Sequence, residues 1–134
     1  MWAVAKPLRP HPLSVGQARN FCTRRLTSVL EPRGDVHEVV ADAATIASEL
    51  VTNAVSAGSS QIELSLQLRE STVFIEVADN AAGAVRPASP SATDTTGRGL
   101  LVVAALAREW GVAAADGTKA VWAEVDLSGS SHTV

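Results

Sequence analysis

The sequence predicts an α+β fold in two layers, with helices packed on one face of a sheet. Two observations carry that reading. Three segments alternate apolar and polar side chains with period two. Ile62, Leu64, Leu66 and Leu68 alternate with Glu63, Ser65, Gln67 and Arg69; Val73, Ile75 and Val77 with Phe74, Glu76 and Ala78. Val121, Ala123, Val125 and Leu127 alternate with Trp122, Glu124 and Asp126. Alternation of this kind buries one wall of a sheet and leaves the other mostly in water, whereas a sheet covered on both sides shows unbroken apolar runs. The second observation is that Val36, Val39, Val40, Ala43, Ile46, Ala47, Leu50 and Ala54 recur at three-and-four spacing. That is the pattern of a helix with one buried stripe.

The elements follow in chain order. Three prolines within residues 1–13 mark an extended lead-in with an edge strand over 2–6. Ser14 and Gln17 form a capping-box pattern that opens a helix over 15–30. Pro32 and Gly34 break the chain, and Asp35 caps a second helix from 36 to about 57, stopped by Gly58. Two strands come next. Residues 80–96, rich in Ala, Ser, Thr, Pro and Gly, lack periodicity and are too long for an ordinary connection, so a lid or binding loop is expected there. Gly97-Arg98-Gly99 opens a third helix over about 100–108. A strand over 111–115 then turns through Asp116-Gly117 into the last strand, and residues 128–134 form a loose tail.

Composition bounds the function. A chain of 134 residues without internal repeats suits one domain over 1–134, and 46% apolar residues exclude a disordered chain. A net charge of −3 argues against a nucleic-acid binder driven by electrostatics. Cys22 is the one cysteine, so neither an internal disulfide nor a thiolate metal cluster can form, and a reducing, cytoplasmic setting fits. The first 15 residues lack a signal-peptide pattern, and the longest apolar stretch, 99–107, falls far short of the ~20 residues a bilayer requires. No membrane contact is expected.

Three groups of residues can carry chemistry. On the second helix Asp42, Thr45, Glu49, Thr52, Asn53 and Ser56 form a polar stripe, with Glu49 and Asn53 one turn apart. Such a stripe also describes a solvated helix face. However, no Lys or Arg occurs between Asp35 and Gly58, and an oxygen-rich stripe without cations suits Mg²⁺, with a carboxylate nearby as general base. Asp79, at the exit of a strand, can accept a hydrogen bond from a ligand amino group or simply form a turn. Gly97 and Gly99 at a helix start let the backbone approach a phosphate, or provide an ordinary hinge.

In their order and spacing these features resemble the Bergerat-fold (GHKL) ATPases and kinases, above all the small anti-sigma-factor serine/threonine kinases of bacterial partner switching. The likeness covers about 14–127. It rests on ELVTNAV (49–55), GRGLLVV (97–103), REWGV (108–112) and KAVWAEV (119–125). The resemblance implies a two-layer α/β sandwich with a mixed, mostly antiparallel sheet and helices on one face. It implies ATP and Mg²⁺ as cofactors, with Asn53 as the Mg²⁺-binding asparagine and Glu49 as the catalytic base. It implies that Asp79 holds the adenine amino group and that Gly83 is the second glycine of the Asp-x-Gly-x-Gly box. Gly97 and Gly99, with Arg98 and Leu100, border the lid and the phosphates. The partners it implies are a sigma factor and a STAS-domain anti-anti-sigma protein; relatives commonly form homodimers.

The sequence departs from that pattern twice. Ala81 stands at the first glycine of the box, and Ala120 stands where relatives often place a threonine near the adenine-binding aspartate. Weakened nucleotide binding is the expected consequence, and a non-catalytic binding module is the alternative. Trp110 and Trp122 are expected to pack in or beside the sheet.

Overall fold

A computed structural model describes residues 2–80, 93–115 and 117–128. Along the chain run β1 (Trp2–Leu8), α1 (Leu13–Leu30), a 3₁₀ turn (Glu31–Arg33), α2 (His37–Ser56), β2 (Ile62–Leu68) and β3 (Thr72–Asp79). After them come α3 (Thr93–Leu106), β4 (Glu109–Ala115) and β5 (Thr118–Asp126). The strands lie in the order β1-β2-β3-β5-β4, so β1 forms one edge, where Pro7 removes no ladder donor from a central strand. Every neighbouring pair is antiparallel, and the sheet contains no parallel pair among the described strands. The short turns joining β2 to β3 and β4 to β5 permit only antiparallel partners.

One core lies between the helices and the sheet. The apolar half of each alternating strand is buried: Ile62, Leu64 and Leu66; Val73, Ile75 and Val77; Val121, Ala123 and Val125. α2 contributes Val39, Val40, Ala43, Ile46, Ala47, Leu50, Val51 and Ala54, and it packs on β3 and β5 with α1 and α3 on its flanks. α1 adds Ala18, Cys22, Leu26 and Leu30 at four-residue spacing, and α3 adds Val103. The polar half of each strand faces away from the helices. There Phe74 and Trp122 stack with ring centroids 5.9 Å apart.

The helix ends differ from the sequence reading in instructive ways. α1 starts at Leu13, and Ser14 does not cap it. Its hydroxyl donates instead to the carbonyl of Arg9 at 2.6 Å, while His11 Nδ1 accepts the Leu13 N–H at 3.0 Å. Pro12, at the N-cap with φ −54° and ψ −29°, is already helical, so the helix starts two residues ahead of the expected position 15. Asp35 does accept the His37 N–H, at 3.1 Å. At the other end of α2, Gly58 at φ +82° closes a Schellman motif: Ser59 N–H donates to the Ala54 carbonyl and Gly58 N–H to that of Val55.

α3 begins at Thr93, seven residues before the expected start at Leu100. Gly97, Arg98 and Gly99 therefore lie inside the helix and do not open it. The run Thr93-Asp94-Thr95-Thr96 supplies residue types that favour a helix start, and a helical glycine costs only about 1 kcal/mol relative to alanine. β4 starts at Glu109, two residues earlier than expected, and β1 continues to Leu8. Ala81, Gly83, most of the expected lid loop and residues 129–134 of the tail lie outside the described residues. Among the described residues no helix is long and apolar enough to cross a membrane.

Candidate functional site

The buried stripe of α2 fixes its rotation, leaving Glu49, Thr52 and Asn53 half-buried beside it. The hydroxyls on this helix bond to its own backbone: Ser48 Oγ donates to the Thr45 carbonyl at 2.8 Å, and Thr52 Oγ1 to that of Ser48 at 2.7 Å. Glu49 and Asn53 follow one turn apart, about 6 Å along the axis. Their side chains make no hydrogen bond or ion pair among the described residues.

Asp79 ends β3 on the helix-covered side, in the alternation of Val73, Ile75 and Val77, with its side chain 2% exposed. Directly opposite on β5 stands Lys119, whose Nζ lies 3.7 Å from Asp79 Oδ2. Asp79 also faces Ile62, the first residue of β2. Residues 57–61 carry the chain from the end of α2 to that strand, so Asn53, near the end of α2, and Asp79 belong to the same end of the fold. Glu49 lies one turn further along the helix.

Asn80 fixes this end, a role that sequence reasoning missed. Its Oδ1 accepts the N–H groups of Ser60 and Gln61 at 3.0 and 2.8 Å, and its Nδ2 donates to Ser60 Oγ at 2.8 Å. The end of β3 is thereby tied to the connection leaving α2. The only signal in the sequence was an Asn directly after a strand, which serves turns in general. A groove of about 530 Å³ opens here, lined among others by Leu8, Ser60, Ile62, Ala78, Asp79 and Thr118. Among the described residues, Asp79 is the one predicted site residue on its wall; Glu49 and Asn53 are not among its lining residues. Next in sequence to the lining residue Ser60, the buried Ser59 Oγ has no hydrogen-bond partner among the described residues.

α3 carries the predicted residues 97–100. Its C-terminal end is anchored at the opposite end of the sheet, where Arg108 N–H donates to the Glu124 carbonyl at 2.7 Å. Gly97 and Gly99 lie in the first half of this helix, which packs against α2. Leu100 is half-buried and packs against the core.

The donor set bears on a metal. No group of three or more His, Cys, Asp or Glu converges among the described residues, so a cage made wholly of protein ligands is not formed there. One or two oxygens from α2 match the way Mg²⁺ binds, keeping waters and taking further ligands from substrate phosphates. Cys22 offers no nucleophile: burial pushes its thiol up to about 12, outweighing the opposite pull of Arg19.

Against this geometry, the family model described as histidine kinase-like ATPase domain matches residues 11–124. The chain belongs to the histidine kinase-like ATPase domain family. Its fold also matches the crystal structure of the RsbU and RsbW domains of Rv1364c from Mycobacterium tuberculosis, with a TM-score of 0.69 and 18% identity. That match covers 95% of this chain and 32% of the other, so the chain spans about a third of that protein's length. At this identity the likeness establishes a shared fold. No curated protein matches the chain.

For a histidine kinase-like ATPase domain, the β3–β5 register revises one expectation. Ala120 pairs with Ala78 and shares the alternation of Trp122 and Glu124, on the face away from the helices. It is not the β5 residue beside Asp79; that residue is Lys119. A shift of one position along a strand moves a side chain to the opposite face, and only the register shows which residue meets Asp79.

Proposed function

We propose that this histidine kinase-like ATPase domain is an ATP- and Mg²⁺-dependent serine/threonine protein kinase of the anti-sigma-factor type. Its substrate is a serine on a STAS-domain anti-anti-sigma protein, and its second partner is a sigma factor in the cytoplasm. The observation that carries this reading is the grouping of Asn53 and Asp79 at one end of the fold, with Glu49 one turn behind. Two half-buried oxygen-bearing side chains on α2 with no protein partner among the described residues, and a buried carboxylate at a strand end, suit a nucleotide and its cation.

Each residue has a distinct task. Asp79 accepts a hydrogen bond from the amino group of the base. Asn53 holds Mg²⁺ through its side-chain oxygen, and the ion when bound neutralises phosphate charge, the main demand of phosphoryl transfer. Glu49 accepts the proton of the attacking serine hydroxyl. The family resemblance assigns 97–100 to the phosphates and Gly83 to the nucleotide box.

A non-catalytic partner-switching module is the second reading, favoured by Lys119. Its ammonium lies against the carboxylate that the base needs, and Ala81 replaces a glycine of the nucleotide box. Calorimetric titration with ATP and Mg²⁺ separates the two. Saturable heat that is lost in Asn53→Ala supports the kinase; no heat at millimolar nucleotide rejects it in favour of the module.

A further inference from the structure

We infer that Lys119 is a specificity-determining residue, and that it opens the base site to 6-oxopurine nucleotides as well as to adenine. The inference rests on the nucleotide-binding reading given above. Asp79 and Lys119 face each other across the β3–β5 ladder on the helix-covered side, with 2% and 15% of their side chains exposed. Both polar ends are thus largely withdrawn from water, with Asp79 itself on the wall of the groove and Lys119 directly across the ladder from it. The 3.7 Å separation is that of an ion pair without a short hydrogen bond.

The chemistry of the two groups is complementary. An ionised carboxylate only accepts hydrogen bonds, and an ammonium only donates them, through three N–H groups. The edge of adenine presents a donor, the N6 amino group, next to an acceptor, N1. Hypoxanthine and guanine present the reverse order, an acceptor at O6 next to a donor at N1. A lone carboxylate fits the amino group of adenine but meets O6 acceptor against acceptor. A site of that kind, with its polar group left unpaired, rejects the wrong analogue by as much as about 10⁴-fold. With Lys119 adjacent, either order is matched. Adenine gives N6–H to Asp79 and receives from Lys119 at N1; a 6-oxopurine gives N1–H to Asp79 and receives from Lys119 at O6. The ammonium keeps two donors beyond its contact with Asp79, so neither arrangement requires the pair to separate.

Equilibrium titration of the intact chain with ATP, GTP and inosine triphosphate, each with Mg²⁺, tests this without any activity measurement. Inosine triphosphate isolates the 6-oxo group from the 2-amino group. The expected result is inosine triphosphate binding within about tenfold of ATP. Lys119→Met, which keeps the aliphatic stem, is expected to weaken inosine triphosphate by tenfold or more beyond any change in ATP, as loss of a charged hydrogen bond implies. Lys119→Arg is expected to restore it. ATP binding with inosine triphosphate a hundredfold weaker in the unmodified chain overturns the inference and leaves the nucleotide site standing. Equal losses for both nucleotides in Lys119→Met also overturn it. No binding of any nucleotide removes both. The first comparison needs no variant, so it decides even where a substitution prevents folding.

Discussion

Gly111 on β4 lies directly against the indole of Trp122 on β5: a Cβ at Gly111 would stand 2.8 Å from Trp122 Cζ2 and 2.9 Å from Cε2. The same indole stacks on Phe74, whose ring lies 3.9 Å from the Arg69 guanidinium carbon. The two residues are register partners, so the indole has little room to withdraw. Gly111→Ala is therefore expected to lower unfolding free energy by about 1–3 kcal/mol through overpacking, measured by urea denaturation. A neutral result would show that the indole turns aside freely.

Gly58 tests a different effect. Nothing lies within 4 Å of the position of an added Cβ, yet its φ is +82°. Gly58→Ala is expected to cost about 1 kcal/mol from backbone conformation alone, read from the denaturation midpoint at unchanged slope.

Two leucines separate core from surface. Leu50 on α2 is 1% exposed and Leu101 on α3 is 70% exposed. Leu50→Ala is expected to lose about 2–5 kcal/mol, whereas Leu101→Ala should stay within about 0.5 kcal/mol. Thermal melts of both variants check the contrast.

Cys22 gives stability a pH dependence in the alkaline range. Burial pushes its thiol up to about 12 in the folded chain from an ordinary value of 9.0, so above pH 9 the unfolded state releases a proton that the folded state keeps. Below pH 9 this group adds no slope. Between pH 9 and 12 it lowers stability by up to about 1.4 kcal/mol per pH unit. Denaturation curves at pH 8, 9 and 10 should show that slope in the natural chain and its absence in Cys22→Ala.

Glu49 distinguishes binding from chemistry. Glu49→Ala is expected to retain nucleotide binding within a few-fold while phosphate transfer to a STAS-domain partner falls by about 10²–10⁴. Single-turnover transfer of labelled phosphate is the measurement, and undiminished transfer would remove Glu49 from the role of base.

The layered fold, the identity of the buried strand faces and the apolar stripe of α2 were legible because each is a periodicity, and a periodicity is local. The start of α1 was misplaced for a related reason: Ser14 and Gln17 satisfy a capping pattern, but Pro12 and His11 reach the first turn sooner. The start of α3 was misplaced because two glycines look like an interruption, whereas a helix with packing partners tolerates them.

The residues Glu49, Asn53 and Asp79 stood out in the sequence because their types and spacing are properties of single elements. Which β5 residue meets Asp79 was decided by tertiary structure alone. Alternation assigns Lys119 and Ala120 to opposite faces, but strand register selects the one that stands across from the carboxylate. Asn80 likewise acquired its role only when folding brought residues 60 and 61, some twenty positions away, to its amide. Local patterns determine which side of an element is buried; the pairing of elements, set by packing over the whole core, determines which polar groups meet at its ends.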